Sequence, residues 1–88
     1  MIRKHAVVRG QVQGSGFRYY TQAEATRLGL SGYVRDSTDG TVEVEVEGDD
    51  RPVGELIDWL RVGPLWAKVE QVEVADRFPS GRSGFRIL

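Results

Sequence analysis

From Thr41 to Glu47 the chain alternates without a break, Thr41-Val42-Glu43-Val44-Glu45-Val46-Glu47. A period of two maintained over this length suits an extended strand and no helix. Successive strand side chains point to opposite faces, so Val42, Val44 and Val46 face a core while Glu43, Glu45 and Glu47 face water. Glutamates spaced by two on an exposed face read as solvated surface rather than as a metal or substrate site. Directly upstream, Asp39-Gly40 is a hairpin signal. The strand is therefore expected to pair with Gly32-Tyr33-Val34-Arg35 across Ser37-Thr38-Asp39-Gly40.

The remaining segments surround this hairpin. Residues 5 to 12 begin apolar and then alternate, with Ala6, Val8, Gly10 and Val12 on one face, which predicts a first strand. Residues 19 to 28 place Thr21, Ala25 and Leu28 at helical spacing before Gly29 stops the run. Between 52 and 62, Val53, Leu56, Ile57 and Leu60 form a full apolar stripe, opened by Pro52 and closed by Gly63-Pro64. Asp49 and Asp50 suit the start of that helix. Trp59 and Trp66 are read as covering the edge of a small core rather than as stacking platforms. From Ala67 to Ala75 the apolar phase shifts between Val69 and Val72, so a bulge near Glu70-Gln71 is expected. After the loop Pro79-Ser80-Gly81-Arg82-Ser83-Gly84, the segment Phe85-Arg86-Ile87 forms a short edge strand.

The order βαββαβ plus a terminal strand predicts an α+β, ferredoxin-like sandwich with two helices on one face of a mostly antiparallel sheet. The other face is expected to be open to solvent. Eighty-eight residues, 40% of them hydrophobic and 28% charged, make a single domain spanning 1–88. A net charge of -1 argues against nucleic acid or an anionic membrane as the main partner, since both demand a basic face. The acidic stripe of the hairpin further disfavours an RNA-binding module of the same fold. The chain has no cysteine, which excludes disulfides and thiolate chemistry and suits the cytoplasm. No apolar run approaches membrane-spanning length. A small domain with a charged exterior is expected to be a monomer.

Chemistry concentrates in Gly10-Gln11-Val12-Gln13-Gly14-Ser15-Gly16-Phe17-Arg18. Here an extended run ends in glycines and a helix begins beside an arginine. Glycines let consecutive peptide N–H groups turn inward with no Cβ in the way. Such a nest ahead of a helix N-terminus suits a phosphate group, and Arg18 adds a planar fork that matches two phosphate oxygens. Taken alone, the stretch equally fits a plain strand-to-helix connection. It is neither a P-loop nor a dinucleotide fingerprint, because the required lysine and third glycine are absent.

The same loop resembles the first signature of the acylphosphatase family, and Gly32-Tyr33-Val34-Arg35-Asp36 followed by Gly40, Val42 and Gly48 resembles the second. The resemblance runs from about His5 to the last residue. It implies a hydrolase that splits an acyl phosphate into a carboxylate and inorganic phosphate, with no metal or cofactor. By the same resemblance Arg18 and the backbone N–H groups of Gln13, Gly14, Ser15, Gly16, Phe17 and Arg18 hold the phosphate, and an asparagine positions the attacking water. Two positions depart from the family pattern. Ser15 replaces a usual valine, a change expected to leave the amides undisturbed. Asp36 occupies the asparagine position.

A carboxylate accepts hydrogen bonds but donates none when ionised, and it brings negative charge towards an anionic phosphate. Asp36 is expected to pair with Arg18 in the empty site and to reduce activity or shift it towards acid. A neutral Asp36 that imitates the amide, or one that acts as general base, are the other readings. The alternative function is a non-catalytic phosphate-binding domain that has kept the loop and lost the chemistry. Among minor candidates, His5 is expected to be structural or solvent-facing. Tyr19, Tyr20 and Thr21 open the first helix near the loop, where packing or solvent exposure is expected of them.

Overall fold

The alternating segment occupies the middle of the sheet. A computed structural model describes residues 1–88. The chain runs β1 (Ile2–Gln11), α1 (Phe17–Arg27), β2 (Ser31–Asp36), β3 (Val42–Gly48), α2 (Asp50–Val62), β4 (Lys68–Arg77) and β5 (Phe85–Ile87). The strand order is β4-β1-β3-β2-β5. All neighbours are antiparallel except β2 and β5, which run parallel. This is the ferredoxin-like sandwich expected from the order of periodicities, with Phe85–Ile87 as the edge.

Register lines up the apolar face. Ala6 and Val34 both lie opposite Val44, and Val8 lies opposite Val42. Over that face α2 lays Val53, Leu56, Ile57 and Leu60, and α1 lays Phe17, Thr21 and Ala25. Each fully buried leucine or phenylalanine here contributes about 1.5–3 kcal/mol by leaving water. Helix α1 starts earlier than its periodicity suggests. Gly16 adopts φ +80° and turns the chain, so that Phe17 enters the core and packs against Trp59, the two rings tilted by 54° with centroids 5.8 Å apart. Trp59 thus covers the core edge, but Trp66 does not: it is 79% exposed in the connection after α2.

The expected bulge is present. Arg9 pairs with Gln71 and Gly10 with Val69, leaving Glu70 as the extra residue. The crossing is so close that a Cβ on Gly10, at φ +132°, would lie 2.1 Å from the Lys68 carbonyl oxygen.

One expectation holds only in part. Glu43, Glu45 and Glu47 point away from the core, but Glu43 and Glu45 are only partly exposed and Glu47 is buried, because the neighbouring strands bring basic and hydroxyl groups to the same face. Arg3 Nε donates to Glu45 at 2.7 Å and Arg3 Nη1 to Glu47 at 2.9 Å. Tyr33 donates its hydroxyl proton to Glu45, Arg35 pairs with Glu43, and His5 Nε2 lies 2.6 Å from Glu43. Glu47 is 2% exposed, since the loop after β4 folds over it and donates the N–H groups of Ser80 and Gly81. The face opposite the helices, not covered by any helix, therefore carries a paired charge ladder rather than a row of free glutamates.

Candidate active site

The loop between β1 and α1 is built to leave donors free. Gly14 at φ +78° and Gly16 at φ +80° take left-handed conformations that a side chain would strain. The first helical bond is donated by Tyr20 N–H to the Gly16 carbonyl at 3.0 Å. No backbone N–H from Gln13 to Tyr19 has a backbone or side-chain acceptor. The first turn of α1 carries no acidic residue, so its positive end is not neutralised locally by its own side chains.

Of the residues from Gln13 to Tyr19, Gly14, Gly16, Phe17, Arg18 and Tyr19 line a cavity of about 330 Å³, together with Val12, Asp36 and Ile87, while Gln13 and Ser15 are not part of its wall. Arg18 projects from the first turn of α1, and Asp36 ends β2 on the same face of the sheet as buried Val34. The two meet with Arg18 Nε 3.4 Å from Asp36 Oδ2. The other carboxylate oxygen, Oδ1, is buried without a hydrogen-bond partner.

Gln13 and Ser15 take different roles. The Gln13 side chain turns away from the cavity and donates to the Ser37 and Thr41 carbonyls at 2.7 and 2.9 Å, tying the loop to the β2–β3 turn. Ser15 donates its hydroxyl to the Val12 carbonyl at 2.7 Å, bracing the loop from within. Both side chains are thus spent on the loop itself, and neither residue lines the cavity. Thr21 is fully buried, while Tyr20 packs edge-on against Tyr19. Sequence reasoning missed Val12 and Ile87 as cavity walls. Ile87 reaches the site because β5 lies parallel to β2 with Ile87 beside Val34. Its alternation with buried Phe85 was a signal, but the pairing partner was not.

The Acylphosphatase family model matches residues 4–87. The chain belongs to the acylphosphatase family. An acylphosphatase of Bifidobacterium longum is 49% identical over 76 residues, covering 86% of this chain and 78% of that protein. One from Thermococcus kodakarensis is 45% identical over 87 residues, covering 99% and 96%. The crystal structure of the acylphosphatase from Bacillus subtilis superposes with a TM-score of 0.96 at 34% identity, covering 100% of this chain and 99% of that one. The similarity to acylphosphatases thus extends to sequence and architecture over most or all of the chain.

Proposed function

We infer that the chain is an acylphosphatase, a hydrolase that converts an acyl phosphate into a carboxylate and inorganic phosphate. The observation that carries the site is the set of unspent N–H groups on Gly14, Gly16, Phe17, Arg18 and Tyr19, all of which line the cavity that Arg18 and Asp36 also border. In the proposed reaction a water oxygen attacks phosphorus as the bond from phosphorus to the acyl oxygen breaks. The carboxylate leaves with the bonding electrons, and the water protons enter inorganic phosphate, which sheds one to solvent at neutral pH. A carboxylate is a good leaving group, so no strong general acid is required. What remains is positioning and charge stabilisation, supplied by the loop amides and the Arg18 fork.

Asp36 is the proposed water-positioning group, and its buried, unpartnered Oδ1 supports that role. Its contact with Arg18 also sets a competition, because entering phosphate takes the guanidinium that the carboxylate holds in the empty site. A monomeric, cytoplasmic protein is part of the same proposal, supported by the cysteine-free composition and the mixed-charge exterior. The test is calorimetric titration with inorganic phosphate of the wild-type protein and of Arg18→Ala, alongside turnover of benzoyl phosphate. Arg18→Ala is expected to abolish turnover and to remove the phosphate site in this cavity. Unchanged turnover in the variant overturns the assignment.

A further inference from the structure

We propose that the open face of the sheet carries a second oxyanion site, formed by Arg82 and Arg86 beside the already paired Arg3 and suited to a doubly charged phosphate group. A cavity of about 130 Å³ lies there, lined by these arginines with Tyr33, Ser83 and Leu88 among its walls. It shares no residue with the cavity at Arg18. Phe85 is buried on the helix side, so the next residue, Arg86, projects from the opposite face.

The glutamates at the centre of this face are already partnered. Glu43 is taken by His5 and Arg35, Glu45 by Arg3 and Tyr33, and Glu47 by Arg3 and the Ser80 and Gly81 amides. Arg82 and Arg86 have no carboxylate within 4.0 Å. Two arginines without a carboxylate partner therefore line one hollow in a protein whose net charge is -1.

The loop bearing Arg82 is also held in place at both ends. Upstream, the buried Glu47 carboxylate accepts Ser80 N–H at 2.7 Å, Gly81 N–H at 2.9 Å and the Ser80 hydroxyl at 3.1 Å. Downstream, Gly32 N–H donates to the Gly84 carbonyl at 3.0 Å. Arg82 and Ser83 thus sit on a tethered segment, which lowers the ordering cost of binding. Guanidinium forks match tetrahedral oxyanions bidentately, and the ring of Tyr33 with Leu88 supplies an apolar wall.

The experiment uses calorimetric titration of the full chain, first with inorganic phosphate. The Arg18→Ala protein is expected to retain one phosphate per chain. Adding Arg82→Gln and Arg86→Gln to it should weaken that binding tenfold or more. The Arg82→Gln/Arg86→Gln protein with Arg18 intact should keep its benzoyl phosphate turnover, and a large fall in that rate would count against two separate sites. Amide shifts of Gly32, Ser83 and Gly84 on phosphate addition should accompany the retained event. Phenyl phosphate separates the sources of the phosphate group: binding at least tenfold tighter than inorganic phosphate indicates a phosphate monoester lying on Tyr33, and equal binding indicates free phosphate. No binding to Arg18→Ala overturns this site while leaving the catalytic one intact. Two phosphates bound to Arg18→Ala instead counts against the Arg18 assignment. Binding that survives all three substitutions also overturns the proposal.

Discussion

At Asp36 one oxygen lies beside Arg18 and the other is buried without a hydrogen-bond partner, and both facts bear on turnover. An ionised carboxylate ~5 Å from a phosphate charge repels it by roughly 3 kcal/mol at an effective dielectric of ~20. That corresponds to about two orders of magnitude in rate, reduced here because the pair is partly open to solvent. Asparagine removes the charge and offers two donors. Asp36→Asn is therefore expected to raise benzoyl phosphate turnover at pH 7 by tenfold or more. The same change should alter stability by less than about 1 kcal/mol, since a partly exposed ion pair contributes little. Steady-state kinetics checks the first expectation and urea unfolding the second; an unchanged or lower kcat would reject the account of Asp36 as a handicap. At this scale the resemblance made both Arg18 and Asp36 legible, because each sits in a signature. The Gln13 side chain was not legible as a tether, because its acceptors Ser37 and Thr41 lie on a turn whose position depends on the folded sheet.

Between β1 and β4 the bulge at Glu70 and the glycine opposite it work as one device. Gly10 combines a positive φ with a backbone oxygen 2.1 Å from where a Cβ would stand, and neither can relax alone without breaking the pairing. Gly10→Ala is expected to cost about 3 kcal/mol or more, visible as a lowered urea midpoint with an unchanged slope. Gly14→Ala meets open space and only a strained φ, so about 1 kcal/mol is expected there. Equal losses in the two variants would rule out the close crossing as the cause. The elements themselves were readable from period: the alternation around Val44, the stripe from Val53 to Leu60, and the phase slip between Val69 and Val72. What faces each glutamate was not readable. Arg3, His5, Tyr33 and Arg35 come from two other strands, and only the register of three strands brings them to Glu43, Glu45 and Glu47. Trp66 failed for a related reason, since a connecting segment carries no period that says which way its side chains turn.

The whole molecule carries its acid sensitivity mainly on the open face of the sheet. Glu47 is held down to about 2 from an ordinary 4.5, first by the Ser80 N–H and then, against burial, by Gly81, Arg3 and the Ser80 hydroxyl. Burial pushes Glu43 and Glu45 up, but hydrogen bonds from His5 and Arg35 to one and from Arg3 and Tyr33 to the other leave both below the usual carboxylate range. A carboxyl depressed in the folded state binds fewer protons than its unfolded counterpart, so its stabilisation is complete above the unfolded value and disappears as pH falls. Tyr33 works at the other limit. Burial, and then the hydrogen bond to Glu45, raise its phenol from 10.0 to about 12, so stability is present below pH 10 and declines as pH rises towards 12. Urea midpoints are therefore expected to form a plateau between about pH 5 and 10, falling towards pH 2 on one side and pH 12 on the other. Glu47→Gln should lie below wild type on the plateau, because the amide is a weaker acceptor for four donors. It should also lose less on acidification, since the residue with the deepest shift no longer titrates. Tyr33→Phe should leave the acid side sloping and flatten the alkaline side. Acid limbs for wild type and Glu47→Gln that run parallel from pH 5 to pH 2 would mean that the clamp over Glu47 does not set the acid limit.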